Sequence, residues 1–171
     1  MIHYGQARYG KAEDVCRRVL EIREKVYGPE HPDVATALDT LANLLSYQGS
    51  YAEARPLFER SLAIWEKTLG PEHPDVANSL NNLAGLLDDI GSYAEARPLF
   101  ERALAIKEKF LGPEHPKVAS SLNNLADLLE DQGSYAEARP LYERSLAIRE
   151  KFFGPEHPNV ALALNNLAIL L

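Results

Sequence analysis

The string Gly28–Pro32, Gly-Pro-Glu-His-Pro, returns unchanged at Gly70–Pro74, Gly112–Pro116 and Gly154–Pro158, always 42 residues apart. Tyr9, Tyr51, Tyr93 and Tyr135 keep the same interval, and so do Leu41, Leu83, Leu125 and Leu167. Chance does not repeat a five-residue string four times without an insertion. The chain is therefore an array of one duplicated unit. A unit of this length folds by stacking on its neighbours rather than by closing a core of its own.

Each unit reads as two helices. The first starts at the His-Pro pair, where Pro32 suits a first helical position because its missing N–H has no partner there in any case. Leu38, Leu41, Ala42 and Leu45 then fall at the spacing of one helix face. Gln48-Gly49 ends that helix, glycine being able to take the left-handed cap conformation. The second helix follows at once. Ser50-Tyr51-Ala52-Glu53 has the pattern of a capping box, repeated at Ser92–Glu95 and Ser134–Glu137. Tyr51, Ala54, Phe58, Leu62 and Trp65 make its expected apolar stripe, and Gly70-Pro71 stops it. Pro56, Pro98 and Pro140 lie beyond the free first turn of the second helix, where each removes a backbone bond and should bend it.

The register predicts an all-α chain of about eight antiparallel stacked helices. It divides into a half-repeat at 1–27, repeats at 32–69, 74–111 and 116–153, and a half-repeat at 158–171. The first half-repeat is a second-type helix and the last a first-type helix, which reads as a piece of a longer protein. Cys16 aligns with Phe58, Phe100 and Tyr142, so a core position is expected for it rather than a reactive thiol.

Hydrophobic residues at 46% and charged residues at 25% argue against disorder. No apolar run approaches the roughly 18 residues a bilayer crossing needs, and the first residues lack a signal-peptide pattern. A net charge of −7 disfavours nucleic acid and anionic membrane as partners. The single cysteine suits a reducing, cytoplasmic compartment.

Leu-Asn-Asn-Leu-Ala at Leu80–Ala84, Leu122–Ala126 and Leu164–Ala168, then Tyr-Ala-Glu-Ala-Arg-Pro-Leu, then Gly-Pro-Glu-His-Pro, resemble tetratricopeptide (TPR) repeats of the long, kinesin-light-chain type. The resemblance covers nearly the whole chain. It implies a right-handed α-α superhelix, a TPR solenoid, whose first helices line a concave groove that receives peptides or partner helices. Two departures stand out. No heptad segment for joining a motor heavy chain is present, and the basic groove residues that such proteins use for tryptophan-acidic peptides are missing.

Helix geometry gives the candidate groove residues independently. Opposite the apolar stripe lie Thr36, Asp39, Thr40, Asn43 and Tyr47 in the first complete repeat, and Asn78, Asn81, Asn82, Gly85 and Asp89, edged by Asp88, in the next. The third carries Ser120, Asn123, Asn124, Asp127 and Asp131, edged by Glu130, and the last carries Asn165 and Asn166. Leu44, Leu86, Leu128 and Leu170, with Ala37, Ser79, Ser121 and Ala163, read as the contact with neighbouring repeats. Asparagine is a poor helix-interior residue, and its amide matches the donors and acceptors of an extended peptide backbone. Two readings of the Asn pairs stay open: a ladder that clamps peptide backbone, and a bond to the adjacent repeat or a copy retained by duplication. With acids and no Lys or Arg on this face, the expected partner is a neutral or basic protein or peptide segment, with an acidic solvated face as the bland alternative.

No catalytic constellation, phosphate loop, cofactor motif or metal set emerges. His31, His73, His115 and His157 come one per repeat, on the order of 10 Å apart once stacked. Zinc needs ligands converging at about 2 Å, so His-Pro is read as shaping the loop. Ser61, Ala103 and Ser145 share a small packing position, and Arg55 with Glu59 makes an outer-face pair. Trp65 stands where Lys107 and Arg149 stand in later units, as a contact residue or as a space filler. The leading function is a protein-interaction scaffold. One alternative is head-to-tail self-association, with Leu164, Leu167, Ala168 and Leu171 docking on Tyr9, Ala12, Cys16 and Leu20 of another copy. The other is a regulatory segment of a larger multidomain signalling protein.

Overall fold

A computed structural model describes residues 2–170, with side chains for residues 10–170. The described residues form eight helices and no strand: α1 (Ile2–Tyr27), α2 (Pro32–Tyr47), α3 (Tyr51–Leu69), α4 (Pro74–Asp89), α5 (Tyr93–Leu111), α6 (Pro116–Asp131), α7 (Tyr135–Phe153) and α8 (Pro158–Ile169). They group into two compact units, 1–86 and 87–171, the division falling within α4. In the first unit α2 packs on α3 and on α1; in the second α6 packs on α7 and α5, and α7 on α8.

Each first-type helix starts on histidine. His31 is extended, at φ −80° and ψ 145°, as a residue before proline must be. Its Nδ1 accepts the Asp33 N–H at 3.1 Å, so the imidazole is the N-cap. His73, His115 and His157 cap Asp75, Lys117 and Asn159 in the same way. The recurring histidine therefore caps a helix as well as shaping the loop.

The capping box read from Ser50 and Glu53 does not form; Ser50 makes no side-chain cap bond. The reason lies in the preceding turn. Gly49 takes φ +77°, its N–H donates to Ser46 O at 2.9 Å, and the Ser50 N–H donates to Leu45 O at 2.9 Å. This is a Schellman turn, and it uses the Ser50 N–H that the Glu53 carboxylate would have taken. Glu53 accepts from Arg17 at 2.9 Å instead. Ser92 and Ser134 likewise make no side-chain cap bond.

Leu38, Leu41, Ala42 and Leu45 are buried, as their spacing requires. On α3 the buried stripe is Ala54, Phe58, Ser61 and Ile64. It is rotated from the expected one, leaving Leu62 and Trp65 half-buried. Ser61 lies on this stripe, its hydroxyl donating to Ala35 O at 3.0 Å, and Ser145 repeats the bond to Ala119 O at 2.9 Å; α5 buries the same positions with Ala103 in place of the serine. Ile64 closes one cluster with Val34, Ala35 and Leu38, and Ile148 closes its counterpart with Val118, Ala119 and Leu122. Pro56, Pro98 and Pro140 are exposed inside continuous helices, where water can serve the freed carbonyls. Cys16 is free and half-buried.

Candidate functional site

In the first unit, the predicted face of α2 bonds largely to its own backbone. Thr36 Oγ1 donates to Pro32 O at 3.2 Å, Thr40 Oγ1 to Thr36 O at 2.8 Å, and Asn43 Nδ2 to Asp39 O at 2.8 Å. Thr36, Thr40 and Tyr47 are exposed, Tyr47 by 83%. Asp39 is half-buried and turned toward the second helix: its Oδ2 accepts from Trp65 Nε1 at 3.3 Å. Burial holds the Asp39 carboxyl above its ordinary range, against the nearby Ser61 hydroxyl and then the bond from Trp65. Trp65 is thus a hydrogen-bonding partner and not only a space filler. Asn78 is exposed, and Asn81 and Asn82 are half-buried.

The Asn pairs divide by depth. Asn123 is only 8% exposed, while Asn124 is open to solvent. Asn123 therefore does not present a solvated side chain; its place in the 42-residue register is that of Asp39, which bonds within its own hairpin. Asp39 Oδ1, Asn81 Oδ1 and Asn123 Oδ1 are buried acceptors with no hydrogen-bond partner in the protein. They occupy one and the same repeat position. An unmet buried acceptor costs about 1–3 kcal/mol, and Ser79 Oγ and Ser121 Oγ recur in the same way at a second repeat position.

In the second unit the acids gather around Tyr142. Its hydroxyl lies 2.5 Å from Asp127 Oδ1 and 2.8 Å from Glu130 Oε2. One O–H thus faces two carboxylates. Burial raises the Asp127 carboxyl, partly offset by the Tyr142 bond, and the nearby charge of Arg149 also lowers it. Burial, then the two carboxylates, push the Tyr142 hydroxyl well above its ordinary value. Asn166 Nδ2 approaches Asp127 Oδ1 at 3.5 Å. Asp88 is pushed up to about 6 by burial and then by Asp131, Asp89 and Asp127. Asp89, Asp131 and Asn165 are exposed and Glu130 is half-buried.

Cations stand closer to the predicted face than the sequence reading allowed. A pocket of about 230 Å³ is lined by Pro116, Lys117, Ser120, Arg149, Phe153 and Asn159. Arg149 enters from α7 and donates to Asn159 O at 3.1 Å. Lys107 is buried, and its ammonium is lowered to about 8 by burial and then by the charge of Lys117. Counting residues on first-type helices alone hid the side chains that second-type helices contribute. Lys117 was legible as the lysine replacing Asp33 and Asp75, and Tyr142 as the hydroxyl added where Phe58 and Phe100 have none.

Among the described residues, no group of three or more His, Cys, Asp or Glu side chains could hold a metal ion. No described helix is long and apolar enough to cross a membrane.

The sequence profile of the tetratricopeptide repeat family matches residues 1–62, 33–109, 89–151 and 117–171. No curated protein is similar enough to match. Among solved structures, a kinesin light chain of Podosopora anserina with nearly identical TPR-like repeats is similar over 97% of this chain and 79% of its own, at 32% identity and a TM-score of 0.83. A singly substituted form of that protein gives 97%, 78%, 32% and 0.84. BtubC (BKLC) of P. vanneervenii is similar over 98% of this chain and 66% of its own, at 25% identity and a TM-score of 0.85. The 42-residue hairpins, their fold likeness and the profile matches agree, and the chain belongs to the tetratricopeptide repeat family, as an all-α solenoid of the kinesin light chain type.

Proposed function

We propose that the chain is a protein-interaction scaffold that holds an extended peptide or partner helix against its first-type helices. Tetratricopeptide repeats are in general protein-interaction scaffolds, and the fold is typically non-catalytic. The observation that carries the finer reading is the recurring unmet acceptor at Asp39, Asn81 and Asn123. Backbone N–H groups of a bound segment are donors of the right chemistry for it, reached when these solvent-closed side chains turn outward on binding. The exposed Thr36, Thr40, Asn78, Ser120 and Asn124 add polar groups beside these acceptors. Against the acids Asp88, Asp89, Asp127, Glu130 and Asp131, the bound segment is neutral or basic. A cytoplasmic setting fits the lone, half-buried Cys16. A peptide array probed with the purified chain tests this reading: neutral and basic segments should be retained, and a preference for wholly acidic ones would contradict it.

A second reading, self-association, is favoured by exposed apolar side chains. Val15, Ile22 and Val26 on α1 and Leu164 on α8 are 62%, 48%, 64% and 47% exposed. One residue of the expected α1 face, Leu20, is already engaged. It packs on the cluster of Val34, Ala35, Leu38 and Ile64, because α1 lies on α2. Tyr9 and Leu171 fall outside the described side chains. Ile22 instead occupies the register of Ile64 and Ile148, which bury themselves against first-type helices. Sedimentation velocity over a hundredfold concentration range tests this; a strict monomer rules it out.

A further inference from the structure

Lys117, Ser120, Asn124, Asp127 and Asp131 follow one another at steps of three and four residues, so they share one face of α6. All but the half-buried Asp127 are exposed. Read from the N-terminus, the face runs from a cation through two neutral hydrogen-bonding groups to two carboxylates. At the cationic end, Arg149 and Ser120 join Lys117 around one pocket, and the charge of Lys107 lies close by. At the acidic end, Asp88 and Asp89 add to the field of Asp127 and Asp131. Arg149 also lies near enough to Asp127 to feel its charge.

The other units lack this arrangement. The Lys117 position holds Asp33 in α2, Asp75 in α4 and Asn159 in α8, although the surrounding motif is repeated. Duplication copies residues; here one copy has reversed a charge at the mouth of a pocket. The first-turn amides of α6 add a partial positive charge at the same end.

We propose that α6 selects a partner segment carrying opposite charges at its two ends, with a carboxylate seated at Lys117 and Arg149 and a basic group at Asp127 and Asp131. From Lys117 to Asp131 the helix advances about 21 Å, at about 1.5 Å per residue. An extended peptide covers that span in about six residues. The partner is thus a protein segment with an acidic and a basic side chain some six residues apart. This rests on the reading of α6 as a ligand-bearing face, and it adds to the neutral-or-basic preference one acidic anchor.

Four end-blocked peptides test it, each with five alternating Ser and Ala residues between end residues that are Glu and Lys, Lys and Lys, Glu and Glu, or Gln and Gln. Binding is read by fluorescence anisotropy at low salt, where exposed charge pairs count most. The Glu–Lys peptide should bind about tenfold more tightly than either like-charged peptide, two surface pairs each contributing up to about fivefold. Lys117→Asp, which installs the residue of the other units, should make the Lys–Lys peptide the tightest. Asp131→Lys should make the Glu–Glu peptide the tightest. Binding without discrimination by end charge, or variants that leave the order unchanged, overturns the inference alone. No binding by any of the four overturns it together with the reading of α6 on which it rests.

Discussion

Tyr142 holds its hydroxyl 2.5 Å from the Asp127 carboxylate, at a repeat position where Phe58 and Phe100 have no hydroxyl. The contact ties α7 to the acidic face of α6 and fixes where that face points. A hydrogen bond to a charged group contributes about 1.5–3 kcal/mol net. Tyr142→Phe should therefore lower unfolding stability by about that amount, read as a shift in urea midpoint with an unchanged slope. An unchanged midpoint would show that the hydroxyl is as well served by water.

Stability should fall as pH rises through the Asp88 titration. Asp88 is pushed up to about 6 in the folded chain, from an ordinary value of 3.8. The folded state then binds more protons than the unfolded one between those values. The resulting stabilisation is complete below about 4 and is lost as pH climbs through 6. Asp39 and Asp127, also raised by burial, act in the same direction. Thermal melts between pH 4 and 7.5 check this. Asp88→Asn should flatten the profile, and a profile of equal slope in that variant would remove Asp88 as its source.

The histidine caps are open to a direct test. His115 Nδ1 accepts the Lys117 N–H at 3.1 Å. His115→Ala should cost about 1 kcal/mol, and it should speed hydrogen exchange of the Lys117 amide while leaving the middle of α6 protected. Equal exchange in both proteins would show that the imidazole caps nothing.

The turns between paired helices make the opposite prediction for serine and glycine. Ser134 makes no side-chain cap bond, so Ser134→Ala should change stability by less than about 0.5 kcal/mol. Gly133 stands at φ +72° with open space where a Cβ would go. Gly133→Ala therefore meets backbone strain alone, worth roughly 1–2 kcal/mol. A larger loss at Ser134 than at Gly133 would restore the capping box.

What the sequence made legible follows from what repetition encodes. Leu38, Leu41 and Leu45 had to be buried, because a first-type helix offers no other continuous apolar face. Pro32 had to open a helix and Gly49 to close one. The capping box failed for a physical reason: Ser50 belongs to two helices at once, and the outgoing turn takes its N–H. The buried stripe of α3 passes through Ser61, a polar residue that a reading of apolar periodicity passes over. On the candidate face, a helical wheel places Asn123 and Asn124 side by side and cannot assign depth; the fold buries the first and leaves the second open. Lys107 and Arg149 reach the first-type helices from second-type ones, a proximity that no single-helix periodicity contains.

Asn123 carries the central claim. Its Oδ1 is buried without a partner, so a purely structural asparagine there is a poor solution. Asn123→Ala removes the unmet acceptor and improves helix propensity. The measurement is paired: urea stability of the variant, and its affinity for a peptide retained on the array. Stability held or raised, with affinity about tenfold lower, is the predicted result. Stability lowered by about 1 kcal/mol or more with unchanged affinity would contradict it, and would make Asn123 part of the hairpin rather than of the ligand site.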